Sequence, residues 1–347
     1  MESFGSWSVL TTDYLIVLYM AINGVTLASI LHLVNAKWRV HVRTLAVSLA
    51  ALLPLAFVLL VVLLLNGEQT FQWLAGAHAG DTGDHHIPGW HNYTFLVTRE
   101  IVGFFIVAGL YGLFIKLQHQ AIIDPGYEAQ RNFRNVALLI PFIYVIYGTM
   151  VAWDFEMTMM PSWHSASYAP YHWISMFHFF LAFFAVFLFV LKRSGKLKQD
   201  VPDQMLNFVA QMMLGFTILW TYLFFTQYLI MWYGRLPEEI VRFRNMMDND
   251  LGVIWWTFLT LKFIIPFTSL IFAFTRHTPA AIVTVASCIM IGTWLERYTW
   301  ISGSVDPSHY HLPMTSMFDI VVTLLVAAGV FVSIRWSLNK YGFLRQS

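Results

Sequence analysis

MLNFVAQMMLGFTILWTYLFFTQYLIMWYG, residues 205–234, carries no charged side chain. At ~1.5 Å of rise per residue, a helix of that length exceeds the ~30 Å hydrocarbon core of a bilayer. The run differs from a lipid-facing anchor, because it holds Asn207, Gln211, Thr217, Thr221, Tyr222, Thr226 and Gln227. Amides at membrane depth need partners, so Gln211 and Gln227 are expected to face other helices. Trp232 and Tyr233 mark a membrane–water interface, and the turn from Gly234 to Pro237 stops the helix there. The stretch reads as a buried member of a helical bundle.

The rest of the 347-residue chain has the same character, being 58% hydrophobic and 11% charged with a mean hydropathy of +0.62. Soluble domains carry about 25% charged residues. The fold class expected is therefore an all-α polytopic integral membrane protein. A net charge of +1 without a basic run gives no support to nucleic-acid binding. The single cysteine, Cys288, excludes an internal disulfide, a CxxC site or a cysteine-ligated iron–sulfur cluster within this chain. The N-terminal residues offer neither a basic n-region nor a small-residue cleavage site, so no removable signal peptide is expected.

Hydropathy places nine spans at roughly 12–33, 44–65, 94–117, 136–154, 171–191, 206–233, 252–275, 279–299 and 316–337, with ten as the alternative count. One set of connecting segments holds Lys37, Arg39, Arg43, Lys116, Arg131, Arg134, Lys192, Arg193, Lys196, Lys198, Arg276, Arg335, Lys340 and Arg345. The alternate segments are acidic and His-rich, with Arg235, Arg242 and Arg244 as the main exception. The positive-inside rule then puts the C-terminus in the cytoplasm and the N-terminus outside. No extramembrane segment is long enough for a separate domain, so residues 1–347 are read as one transmembrane domain.

Ionisable groups in or beside the spans are the candidates for chemistry, since each costs several kcal/mol in hydrocarbon unless paired. Arg99 and Glu100 open span three, Asp154 and Glu156 close span four, His172 and His178 lie in span five, Glu296 and Arg297 close span eight, and Asp319 begins span nine. Lys262 sits near the middle of span seven, four residues before Pro266. Together they suggest a proton-exchanging cleft on the outer side; taken singly, pairs such as Arg99 with Asp154 would serve to stabilise helix ends. A mid-bilayer lysine either finds a carboxylate or loses its proton. Haem needs histidines facing each other at matching depth, and His32, His172 and His178 do not match, so no haem is expected. His78, His85, His86, His91, His309 and His311 read as solvated loop histidines, and Met157-Thr158-Met159-Met160 as interfacial packing, so no metal site is expected.

Several stretches, taken in order, resemble one family. These are Ile22-Asn23-Gly24 through His32 to Trp38, Asn92-Tyr93 to Arg99, Asp154 to Tyr168 with Pro161-Ser162-Trp163-His164-Ser165, and Leu219 to Tyr228 with Trp232 to Glu239. Phe263 to Phe267 and Trp294 to Tyr298 extend the series. The chain is similar to the polysulfide-reductase-type (NrfD-like) membrane subunits of alternative complex III, a quinol:electron-acceptor oxidoreductase, and most to the second such subunit. The resemblance implies two four-helix bundles, here about 12–154 and 171–299, plus a peripheral helix at 316–337. It also implies a bacterial inner membrane. The partners implied are an iron–sulfur/molybdopterin-like subunit, multihaem c-type cytochromes and a second NrfD-like subunit, among lipids. Family members have about ten spans, so nine would fit loss of a peripheral helix. No cofactor is expected on this chain itself; haem c and iron–sulfur clusters belong to partner subunits, and the substrate would be menaquinol or ubiquinol.

Quinol oxidation releases protons, for which a carboxylate or histidine acceptor, a cation at the ring oxygen and aromatic walls are useful. Arg99, Asp154, Glu156, His164 and His178 are expected to form the outer site. Lys262, Gln211 and Gln227 would extend polar connectivity inward, with Glu100, Glu296 and Arg297 as further members of the quinol or proton path. Two other classes compete: a structural assembly subunit, which needs no mid-membrane lysine, and a secondary transporter, which would show an internal repeat.

Overall fold

The computed structural model describes residues 4–74, 89–124, 126–195, 197–198, 201–234, 237–247, 251–303 and 311–343. Among them, nine helices are long and apolar enough to cross a membrane, and there is no β-strand. We number these α1 (Phe4–Leu33), α2 (Val42–Leu65), α3 (Tyr93–Ile123), α4 (Tyr127–Phe155), α5 (Tyr168–Arg193), α6 (Gln204–Tyr233), α7 (Gly252–Leu270), α8 (Pro279–Ser302) and α9 (Met317–Lys340). A shorter helix, Pro237–Met247, lies between α6 and α7. The chain is an all-α polytopic membrane protein.

Helices α1 to α4 pack on one another, as do α5 to α8, giving two four-helix bundles joined through α1 and α4 against α5 and α1 against α8. α1 is the hub. The most apolar window of α1 is 89% buried, against 11% for α9, which lies on the outside of α1 and α2 with most of its surface towards lipid. Hydrogen bonds hold α9 there: Thr323 donates to Asp13 Oδ2 (2.7 Å) and Ser337 to the Ser48 carbonyl (2.8 Å). Ser316 and Asp319 form a capping box at its start, so Asp319 is a helix-end residue. The fit of α2 against α1 requires Gly24, where a Cβ would lie 2.2 Å from the Ala46 carbonyl oxygen.

Three helices differ in extent from the hydropathy reading. Within the described residues α1 is already helical at Phe4, and its first turns are buried beneath His311 and α9. α3 and α4 run well past the expected bounds of 94–117 and 136–154 as a long hairpin, closed where Asp124 accepts from the Gly126 amide (2.8 Å) and Gln130 donates to the Ala121 carbonyl (2.7 Å). Hydropathy registers lipid contact and misses helix that continues into water. α7 ends at Leu270 instead of 275 and contains a π turn, Thr260–Ile264. Pro266 has no N–H for the Lys262 carbonyl four residues back, and its ring crowds that carbonyl, which opens the helix there.

Candidate functional site

The π turn aims Lys262 into the second bundle, where it is fully buried. Gly292 on α8 allows this approach: a Cβ there would lie 3.0 Å from Leu261 Cβ and 3.2 Å from the Lys262 amide nitrogen. One turn further along α8 stands Glu296. Its Oε2 takes the Lys262 ammonium and the Ser175 hydroxyl (2.8 Å), and its Oε1 takes the Tyr171 phenol and the Trp220 indole N–H (2.8 Å). Lys262 also donates to Ser175 Oγ (2.5 Å) and lies 4.7 Å from the centre of the Trp220 ring. Arg297 bridges onward. Its Nη2 is 2.8 Å from Glu296 Oε1 and its Nη1 is 2.7 Å from Glu156 Oε2. Glu156 Oε2 also takes the Tyr168 phenol and lies 2.7 Å from His172 Nδ1. The far nitrogen of His172 is 3.0 Å from the Tyr19 hydroxyl on α1.

Two carboxylates and two cations balance, with a histidine at the end of the line. A buried pair survives only with good geometry and hydrogen bonds for its remaining lone pairs, and Glu296 has them on both oxygens. His172 Nδ1 faces both a donor (Arg297 Nη1, 2.9 Å) and an acceptor (Glu156). It therefore suits either tautomer, and exchange between the two tautomers moves a proton from one face of the ring to the other. Glu156 Oε1 and His178 Nδ1 have no hydrogen-bond partner although fully buried.

Arg242, on the short helix, closes this cluster at the end nearest the start of α1. Its Nη2 donates to the carbonyls of Glu156 (2.6 Å) and Trp300 (2.9 Å), at the C-terminal ends of α4 and α8, and its guanidinium lies 4.5 Å from the Trp163 ring centre. A cation at two helix C-termini is favourably placed. Burial lowers its pKa to about 10. Arg242 is thus a buried clamp, which explains one of the exceptions to the loop charge bias.

A second cluster lies in the first bundle. Arg99 clasps Asp154 with two hydrogen bonds, Nε to Oδ2 (2.7 Å) and Nη2 to Oδ1 (2.6 Å), and Trp90 Nε1 donates to Oδ1 as well (2.6 Å). The Arg99 guanidinium stacks 4.1 Å from the Trp90 ring centre. Glu100, beside them, is fully buried. Over this cluster opens a cleft of about 370 Å³ whose lining includes Trp90, His91, Trp153, Met157, Thr158 and His164. Both ring nitrogens of His91 are buried without a partner, and burial pushes its imidazole below the usual histidine pKa.

The expected outer site is therefore split. Arg99, Asp154, Glu100 and His164 gather at the cleft, whereas Glu156, Glu296, Arg297 and Lys262 form the inner network. His178 stands apart, its Nε2 3.1 Å from the Thr217 hydroxyl. Gln227 is buried with neither amide atom partnered. Gln211 corrects the sequence reading: it is exposed, and its amide reaches only Asn207 Oδ1 one turn earlier (3.4 Å). It faces away from the bundle. His78, His85, His86, His309, Lys196, Arg235 and Arg345 lie outside the described residues. Among the described ones, no three or more His, Cys, Asp or Glu converge as a metal site.

Sequence reasoning missed Tyr19, Tyr168, Tyr171, Ser175 and Trp220, and counted His172 among the ionisable groups of the spans without naming it as a site residue. A signal was present: Tyr168, Tyr171, His172 and Ser175 follow i, i+3, i+4, i+7 spacing, a polar stripe down one face of an otherwise apolar helix. No protein-family model matches the chain, and comparison with curated proteins finds no match.

Proposed function

We propose that this chain is a membrane subunit of a quinol:electron-acceptor oxidoreductase of the alternative complex III type, in a bacterial inner membrane with its C-terminus cytoplasmic, and that it carries protons through the second bundle. The observation that supports the proton path is the buried line Lys262–Glu296–Arg297–Glu156–His172. Ionisable groups at this depth are costly, and such groups mark proton and ion routes in membrane proteins. The orphaned Glu156 Oε1 gives the line an atom able to receive a proton. The assignment to a quinol complex rests on the family resemblance, supported by the cleft. At about 370 Å³ the cleft is within the range of small-molecule sites, and it offers two indole walls and an unpartnered imidazole, His91, for a hydroxyl proton. Electrons from menaquinol or ubiquinol would leave through the iron–sulfur and multihaem cytochrome subunits.

The test is purification from native membranes in mild detergent, followed by proton-translocation assays on Lys262→Met. Co-purifying multihaem cytochrome and iron–sulfur subunits, with fewer protons moved per electron in the variant, is the expected result. A chain that purifies alone overturns the complex assignment and favours a secondary transporter. An assembled complex with unaltered proton stoichiometry in the variant would make the chain a structural assembly subunit.

A further inference from the structure

Glu100 takes no part in the second-bundle network, and its surroundings are unusual. It lies about two turns into α3, is wholly buried, and has no donor to either oxygen. The charged and titratable groups that face it are Arg99 on its own helix, Asp154 within hydrogen-bonding reach on α4, Tyr14 on α1 and Tyr147 on α4. Only Arg99 is a cation, and it is committed to Asp154 through both of that carboxylate's oxygens.

Charge balance decides the state of Glu100. Arg99 and Asp154 cancel, so an ionised Glu100 would leave one uncompensated negative charge, without a donor, inside a membrane bundle. A proton on Glu100 removes the charge and gives its carboxyl an O–H to donate to Asp154. On the other side, the Tyr14 and Tyr147 hydroxyls are buried without a hydrogen-bond partner.

We propose that Glu100 is a protonated acid sharing its proton with Asp154, a proton-holding site in the first bundle separate from the Lys262–Glu296 network. The cleft lined by Trp90, whose indole donates to Asp154, opens beside it.

The use of this site rests on the proton-carrying reading above, but its existence is tested on the purified chain without redox partners, so the two can fail separately. Infrared spectra at neutral pH in light and heavy water are the measurement. The wild type is expected to show the carbonyl stretch of a protonated carboxylic acid, shifted in heavy water. Glu100→Gln is expected to lose that band and Glu296→Gln to keep it. Glu100→Asp, a milder change, is expected to retain it at a displaced frequency. A wild-type spectrum without such a band overturns the site whether or not the variants fold, as does a band that survives in Glu100→Gln.

Discussion

Lys262 and Glu296 form a salt bridge between α7 and α8 in which neither side chain is reached by solvent. The carboxylate is shared with Ser175, Tyr171, Trp220 and Arg297. Its negative charge is therefore held from several sides, while the lysine has only Ser175 and the Trp220 ring besides. The pair is asymmetric: Glu296 is held from more sides than Lys262.

Removing one member of this pair should cost far more than removing both. Lys262→Met leaves the two carboxylates facing Arg297 alone, and breaking a buried pair typically costs about 3–5 kcal/mol. Adding Glu296→Gln restores the charge balance, with Arg297 still opposite Glu156. Thermal unfolding in detergent is expected to show a large drop in midpoint for Lys262→Met and recovery of more than half of it in the double variant. Equal losses in the two would show that packing, and not charge, governs the site.

Gly292 is where the two helices meet, and Gly292→Val should separate them. Its Cβ would press on Leu261 Cβ at 3.0 Å and on the Lys262 backbone at 3.2 Å. Overpacking of this kind costs about 1–3 kcal/mol. The expected outcome is a lowered unfolding midpoint together with impaired proton movement, because the lysine is carried away from Glu296. Gly215→Val, at a position where a Cβ would meet nothing within 4 Å, is the control and should be neutral.

Much of this was legible in the sequence, and the part that was not has a physical explanation. Charge inside apolar runs is conspicuous, so Arg99, Glu100, Asp154, Glu156, Lys262, Glu296 and Arg297 stood out. What a linear sequence does not reveal is how far apart two outer-end groups lie. Asp154 and Glu156 are two residues apart yet serve different bundles, because the helical turn around Phe155 sends one towards Arg99 and the other towards Arg297. Polar residues without charge give a weaker signal: Tyr168, Tyr171 and Trp220 lie in aromatic-rich runs, and only the fold brings their hydroxyl and indole groups onto carboxylates. Gln211 was misjudged for the opposite reason, since an amide near a helix end can satisfy itself on Asn207 one turn away.

His91 should make stability depend on pH at the cleft. Burial holds its imidazole below the usual histidine value of about 6.5. The folded protein therefore resists the proton that the unfolded chain accepts. Its contribution is fully present above the unfolded pKa and is lost as pH falls below about 6.5 towards the lowered folded value. Unfolding midpoints measured from pH 8 down to 5 are expected to fall more steeply in the wild type than in His91→Phe, which cannot take a proton. Parallel curves would count against a buried, neutral His91.

Arg242 supplies the last prediction, and it separates clamp from charge. Its guanidinium reaches the Glu156 and Trp300 carbonyls from one nitrogen and stacks on Trp163, a planar two-sided contact that an ammonium cannot reproduce. Arg242→Lys keeps the charge but loses the second carbonyl and the stacking. Hydrogen bonds from charged groups are worth about 1.5–3 kcal/mol each, so the lysine variant should fall by about that much and Arg242→Met by more. Because the Glu156 backbone is one end of the clamp, both variants should also loosen the Glu156–His172 contact. That would be seen as faster exchange of the His172 ring protons by NMR of histidine-labelled protein. Arg242→Lys with wild-type stability and exchange would show that the charge alone suffices and that the clamp does not position Glu156.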